Sequence, residues 1–495
     1  MIASLFWISK MNPHSCISAP PAGALAAPPW LGLSVLLLGG FVTIFDLFVV
    51  NVAIPAMQAG LGASFAQIGF IVAGYELAFG VLLITGGRLG DLFGRRRLFV
   101  VGMAGFTLAS ALCGLAPDAG FLIGARVLQG LAAALLFPQV YASIRVNFDG
   151  DDSRRAFGLL GMTLGLAAIA GQVLGGWLVH ADLFGLGWRS IFLINVPIGL
   201  GAIAAARRIP ESRAPQRPAL DWSGVLLVSL GLALLLVPLI EGPGQGWPAW
   251  SLWALAASAA LLAAFYRHQE RRRIAGGLPL VDMRLLGERR FALGALLVLL
   301  IYSTSSSFFL CFALLTQTGL GLDPFVAGSI FAPCSVGFVA ASLAAPRLVS
   351  RWGIRAIAAG ALAYAASLAV LIAQVWAAGA GLEPLRLIPA LIAVGAGQGI
   401  IMTPLLNLVL GFVDEAQAGM AAGVVSTVQQ VGAALGVAVV GILFSAALAT
   451  GGGMAAQAGQ YASAFVAGML YNLGAALLVC VLLRMLASIQ REAGR

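Results

Sequence analysis

The chain has 495 residues, of which 60% are hydrophobic and only 9% charged, against about 25% charged in an ordinary soluble domain. No water-soluble core of this size hides so much apolar surface, so a soluble enzyme or binding module is excluded and lipid is the solvent of the fold. A formal net charge of +9 would suit nucleic acid, but its placement along the chain points elsewhere.

A membrane-spanning helix takes roughly 20 apolar residues, because its backbone must satisfy its own hydrogen bonds. Fourteen such spans are predicted, at 30–54, 67–88, 98–116, 120–144, 156–179, 189–206, 222–241, 250–267, 290–311, 324–344, 355–376, 386–410, 418–446 and 464–487. The expected class is an all-α integral membrane protein with 14 transmembrane helices. Its predicted parts are a disordered leader (1–29), a six-helix bundle (30–206), linkers with a two-helix insert (207–289), a second six-helix bundle (290–487) and a tail (488–495). Met11 is an alternative start.

With both termini on the cytoplasmic side, every Lys and Arg except Arg126, Arg189 and Arg386 falls on a cytoplasmic segment. That is the positive-inside asymmetry, which makes the basic surplus an orientation signal and predicts no nucleic-acid partner. Cysteines 16, 113, 311, 334 and 480 are scattered without metal or redox spacing, so no disulfide, metal site or cofactor is expected.

Three ionisable residues lie well inside predicted spans: Asp46, Glu76 and Arg126. At about 1.5 Å rise per residue they fall roughly 9–14 Å below the outer edge, in one layer that Gln172 joins. Buried charge in a bilayer is costly and points to function. Two acids and an arginine at one depth can pair so that one carboxyl is left to carry a proton; the alternative is that Arg126 only neutralises an acid so that the bundle packs. Between the second and third spans, GGRLGDLFGRRR (Gly86–Arg97) sets one carboxylate among arginines in a tight turn, with Arg88, Asp91, Arg95 and Arg96 as candidates for a conformational latch. In the fifth span Gly161, Gly165, Gly171, Gly175 and Gly176 recur at three- and four-residue steps, spacing that lets helix backbones approach closely. Tyr75, Tyr302 and Ser305 (in the polar run Ser303–Ser307) are candidate cavity residues, against the simpler reading that aromatics face lipid and small hydroxyls bond to their own helix. The turn also has a weakened echo: Arg88, Gly94 and Arg96 stand at one common offset from Arg347, Gly353 and Arg355, with Ser350 in place of Asp91. A duplicated, parallel pair of bundles is a transporter plan, with the substrate site between the halves.

The turn, with Gly87, Leu89, Asp91, Gly94, Arg95 and Arg96 as G-x-L-x-D-x-x-G-R-R, resembles the signature between helices 2 and 3 of the major facilitator superfamily. FDLFVVNVAIPAM (Phe45–Met57) resembles the first-helix motif of its fourteen-helix drug:proton antiporters, with Asp46 and Asn51 on the motif's acid and asparagine. RVLQGLAAALLFP (Arg126–Pro138) resembles their fourth-helix motif through Arg126, Gln129 and Gly130, GLAAIAGQVLGGWL (Gly165–Leu178) their fifth-helix motif, and WRSIFLINVPIG (Trp188–Gly199) is typical of their sixth helix. One departure stands out: Gly171 is followed by Gln172 where the family has proline. The resemblance implies a proton-coupled exporter of lipophilic, cationic or aromatic small molecules working by alternating access. It implies protons, a small-molecule substrate and the bilayer as partners, action as a monomer, and residence in a bacterial plasma membrane. On it, Asp46, Glu76 and Arg126 couple protons, while Asn51, Tyr75, Gln129, Gln172, Tyr302 and Ser305 line the substrate cavity. The alternatives are proton-driven or facilitated transport of a polar metabolite and, less in keeping with three scattered histidines, an integral-membrane enzyme. No phosphate loop for ATP-driven transport is present.

Overall fold

Apolar runs bounded by glycine or by short polar caps become long helices, because a backbone in hydrocarbon has no water to bond. The computed structural model describes residues 29–148, 150–213, 220–242, 245–277, 279–413, 418–449 and 457–493; the predicted leader lies outside them except for Pro29. The helices are α1 (Pro29–Leu61), α2 (Phe65–Phe93), α3 (Arg95–Gly114), α4 (Ala119–Asn147), α5 (Gly150–Ala181), α6 (Ser190–Leu193), α7 (Asn195–Ala205), α8 (Trp222–Glu241), α9 (Ala249–Ile274), α10 (Met283–Gly287), α11 (Arg289–Ala313), α12 (Pro324–Trp352), α13 (Ile354–Ala378), α14 (Ile388–Leu410), α15 (Ala418–Ala449) and α16 (Gln457–Ala493). Among the described residues there is no strand, and 14 helical stretches are long and apolar enough to cross a membrane. The protein is a multi-pass, all-α membrane protein.

Local chemistry sets the helix ends. Ser64 and Gln67 form a capping box at the start of α2, while Asp118, Asp221 and Asp323 cap α4, α8 and α12; each satisfies backbone N–H groups that have no partner within the helix. Gly94 (φ 109°) breaks α2 from α3, and Gly353 (φ 58°) breaks α12 from α13 at the matching place of the sequence echo. Both angles lie where a side chain is strained. Several spans run past their expected ends, α12 to Trp352 rather than 344 among them, and the departures of two spans have a visible cause. The first runs to Leu61 rather than 54, with Pro55 inside it, since membrane helices tolerate proline when neighbours re-satisfy the freed carbonyl. The sixth is broken into α6 and α7 at Ile194, where Pro197 cannot supply the N–H owed to Leu193.

Helices α1–α5 pack through the α2–α4, α3–α4 and α1–α5 pairs, and α11–α16 through α12–α14, α11–α15, α13–α14 and α13–α16; α8 and α9 pair beside α2 and α15. Missing side chains allow the closest approaches. A Cβ on Gly86 would lie 2.0 Å from Ala134 O, one on Gly436 1.9 Å from Ser303 O, and one on Gly395 1.9 Å from Cys334 O.

The two helix groups meet along α2–α15 and α5–α12. On α5 the contact is uneven. Gly176 presses on α12, with Pro324 O 2.6 Å from where its Cβ would be, and Gly165 on Val339 at 3.1 Å, whereas Gly161 and Gly158 on the same face meet nothing within 4 Å. The pair is therefore closed at the end where α12 begins and parted toward the face that carries the α2–α3 turn, called here the basic face.

On that face Asp221 ties the α8–α9 pair together. It accepts hydrogen bonds from Gln269 Nε2 (2.7 Å), His268 Nε2 (2.9 Å), Gly224 N (3.0 Å) and Ser223 Oγ (3.1 Å). Burial alone would raise its pKa; the hydrogen bonds, led by those of His268 and Gln269, outweigh burial and hold the carboxyl down at about 2. Gln269 Oε1 in turn accepts from Leu280 N at 2.7 Å, and Arg88 Nη2 donates to Pro279 O at 2.6 Å, so the linker after α9 is fastened to the α2–α3 turn.

Candidate functional site

A buried polar cluster lies among α1, α2, α3, α4 and α7. Asp46 is 0% and Arg126 1% exposed, and they form an ion pair through Arg126 Nη1 and Asp46 Oδ2. Asp46 Oδ1 accepts from Gln129 Nε2 (2.8 Å) and Asn195 Nδ2 (3.0 Å). Arg126 also donates from Nη1 to Gln129 Oε1 (2.7 Å) and from Nε to Ile71 O (3.1 Å), and its guanidinium lies 4.2 Å from the Tyr75 ring centroid. Gln129 Nε2 reaches Ser110 Oγ at 2.8 Å as well. A buried charge pair survives only when the remaining lone pairs and protons are bonded, and here five helices contribute to bonding them. Tyr75 and Gln129 thus face the ion pair directly.

Glu76 is also buried, at 2% exposed, but sits apart from that pair. The expected three-residue cluster is not formed, because neighbouring positions of one helix point about 100° apart: Tyr75 faces Arg126, and Glu76 faces α11. There Glu76 Oε1 accepts from Ser306 Oγ at 2.7 Å across the two halves, and Glu76 Oε2 has no partner. The polar run of α11 divides its hydroxyls. Ser303 bonds Tyr471 Oη (2.8 Å), Ser307 donates to Asn472 Oδ1 (2.9 Å), and Thr304 receives Tyr364 Oη (2.9 Å), all within the second helix group. Ser305 is half-buried, and Tyr302 is hydrogen-bonded with Gln429.

Asn51 and Gln172 line a common cavity between the halves with Phe309, Phe312 and Phe331. At the basic face Asp91 pairs with Arg95 (2.7 Å), while the N-terminus of α3 is met by another acid: Glu211 Oε1 accepts from Arg96 N at 3.1 Å, and Arg95 Nη1 donates to Ser212 Oγ at 3.2 Å. Of the candidate glycines, Gly171 and Gly175 abut α1, with Phe48 and Val49 nearest, and Gly165 and Gly176 abut α12, while Gly161 faces open space. Asn195, Gln317 and Glu211 were not singled out in the sequence, and Ser306 only as part of the polar run Ser303–Ser307. Asn195 is a polar residue within an apolar run, the signal that could have found it. Among the described residues no group of His, Cys, Asp and Glu could hold a metal.

The family profile described as Major Facilitator Superfamily matches residues 36–437. A probable actinorhodin transporter of Streptomyces coelicolor is 42% identical over 431 residues, covering 86% of this chain and 75% of that one. The tetracenomycin C resistance and export protein of Streptomyces glaucescens is 32% identical, covering 87% and 79%. The puromycin resistance protein of Streptomyces alboniger is 34% identical, covering 94% and 92%. Among solved structures, an inward-facing, unoccupied bacterial homologue of the human lysosomal transporter Spinster superposes with a TM-score of 0.65 at 16% identity, over 94% of this chain and 99% of that one.

Proposed function

The chain belongs to the Major Facilitator Superfamily of transporters, and from that premise we propose that it is a proton-coupled exporter of lipophilic small molecules across a bacterial plasma membrane. The observation that carries this reading is the buried Asp46–Arg126 pair with its Gln129 and Asn195 bonds. A carboxylate withdrawn from water, held by a cation and two amides, trades its partners for a proton when that proton arrives; the freed guanidinium then favours a different packing of α1 against α4. Coupling of that kind needs a two-state element whose balance the proton shifts, and the parted and closed ends of the α5–α12 contact supply one. Glu76, bonded across the halves to Ser306, is the second carboxyl whose protonation changes the contact between them. Export is favoured over uptake by the relatives, whose described roles include antibiotic resistance and export.

With the basic face in the cytoplasm, as the positive-inside rule requires, the parted end of the α5–α12 contact faces inward and its closed end outward. Asp91 then sits at the cytoplasmic turn, paired among the described residues with Arg95 of its own turn, as a latch for the opposite state. Tyr75 and Gln129 support the ion pair, while Asn51, Gln172, Tyr302 and Ser305 border the path between the halves. The testing experiment loads inverted vesicles with the protein and follows uptake of a fluorescent lipophilic compound with the proton gradient intact and collapsed. Gradient-dependent transport in the parent, lost in a stably folded Asp46→Asn/Arg126→Gln variant, supports the reading; transport indifferent to the gradient overturns it.

A further inference from the structure

Away from the basic face, α1, α5, α11 and α12 enclose a cavity whose lining includes neither Asp46 nor Arg126. In this conformer it contracts to about 10 Å³, the room of a single water. Two amides reach it from one half, Asn51 at 6% and Gln172 at 3% exposed. Asn51 Nδ2 donates to Leu47 O at 3.1 Å, which fixes Oδ1 as the end turned elsewhere, and that buried acceptor has no partner. Gln172 Nε2, a buried donor, has none either. Unmet buried polar atoms raise the free energy of the state that holds them, and an occupant that bonds both lowers it. The other half supplies a wall of rings, with Phe309 4.8 Å and Phe312 5.2 Å from Phe331 between centroids. No lining residue is ionisable.

The geometry points to a subsite for an uncharged, flat aromatic molecule bearing one hydrogen-bond donor, received by Asn51 Oδ1, and one acceptor, bonded by Gln172 Nε2. A cation there would lack a counter-charge, and burying an unpaired charge is far costlier than burying a paired dipole. Aromatic rings prefer offset or edge contacts of the kind this wall already makes. Because α1 and α5 form one side and α11 and α12 the other, the subsite widens when the halves part at this end. Gln317, whose Nε2 donates across the halves to Val52 O at 2.7 Å, is the tie that has to release. The assignment rests on the exporter reading and gives it a substrate class: neutral aromatics rather than cations. It also accounts for Gln172 in place of the family proline, since proline has no donor to offer.

The test measures binding of 2-quinolone, whose N–H donor stands beside a carbonyl, and of N-methyl-2-quinolone, which lacks the donor, to the purified full-length protein in nanodiscs. The parent should prefer 2-quinolone about tenfold. Asn51→Leu should erase that preference, while Asn51→Gln, which keeps a neutral amide with both donor and acceptor, should retain it and serves as the folded control. Gln172→Leu should weaken both ligands alike, by about tenfold. Tetraphenylphosphonium, an aromatic cation, should not compete. Equal affinities in the parent, a preference that survives Asn51→Leu, or competition by the cation overturns the subsite. Vesicle transport separates the two readings: export indifferent to the gradient alongside an intact quinolone preference removes proton coupling and leaves the subsite, whereas coupled export without the preference removes the subsite alone.

Discussion

Replacing Asp46 by Asn preserves shape and removes one charge, leaving the Arg126 guanidinium a buried cation. Its remaining partners, Gln129 Oε1, Ile71 O and the Tyr75 ring, were already engaged in the parent and offset nothing new. Breaking a buried pair from one side costs about 3–5 kcal/mol, so loss of transport in this variant alone would not separate coupling from misfolding. The double variant Asp46→Asn/Arg126→Gln restores a neutral, hydrogen-bonding pair of similar volume. It should recover most of that stability, giving a cycle interaction of about 3 kcal/mol, while gradient-driven export stays abolished. The four proteins are compared by unfolding in mixed micelles titrated with a denaturing detergent, and by transport in inverted vesicles. If the double variant is as unstable as the sum of the single ones, the two residues do not form the pair described. If it is stable and still exports with gradient dependence, the pair is structural and coupling resides elsewhere.

Gly86→Leu should sharply reduce folded protein, because its first side-chain carbon alone would lie 2.0 Å from Ala134 O, an overpacking worth about 3 kcal/mol or more. Gly161→Leu, with nothing within 4 Å, should change stability by less than about 0.5 kcal/mol; detergent unfolding of both variants checks the contrast. Asp221, held at about 2 against roughly 3.9 in an unfolded chain, contributes on the order of 2 kcal/mol above about pH 4, and loses it as pH falls through its folded value. The stability gap between parent and Asp221→Asn should therefore narrow from about pH 5 toward about pH 2, and a constant gap would refute that account. Asp91→Asn should slow turnover while leaving ligand affinity unchanged, so a variant that no longer binds the transported compound would remove Asp91 as a latch.

The membrane class and the number of spans were legible because hydrocarbon demands a predominantly apolar run for every span, and the superfamily because its turn and helix motifs stand in order along the chain. The ion pair was half legible. Asp46 and Arg126 stood out as charges within apolar runs, but their depth was read from a first helix ending at 54, and α1 continues through Pro55 to Leu61. Glu76 shows the limit of depth alone. It shares the layer of Asp46, yet its azimuth on α2 sends it to Ser306 in the other half. Glu211 illustrates a different limit. Its place at the N-terminus of α3 depends on a return of the chain more than a hundred residues later, which no local pattern encodes. The broken sixth span needed only Pro197, a signal present in the sequence and outweighed there by the continuous apolar run.

On the proposed mechanism, the bare stretch of α5 near the basic face belongs to a shape other than the one seen here. Where Gly176 lies against Pro324, the missing side chain is accounted for by what it touches. At Gly158 and Gly161, where nothing is touched, it is accounted for by what has yet to arrive. In a transporter whose halves rock about a fixed centre, the far ends of α5 and α12 come apart as the near ends converge, and the convergence has room only if α5 is smooth along its whole length. If the halves rock as proposed, one row of glycines serves two conformers, the first part occupied in this structure and the second kept clear for the other.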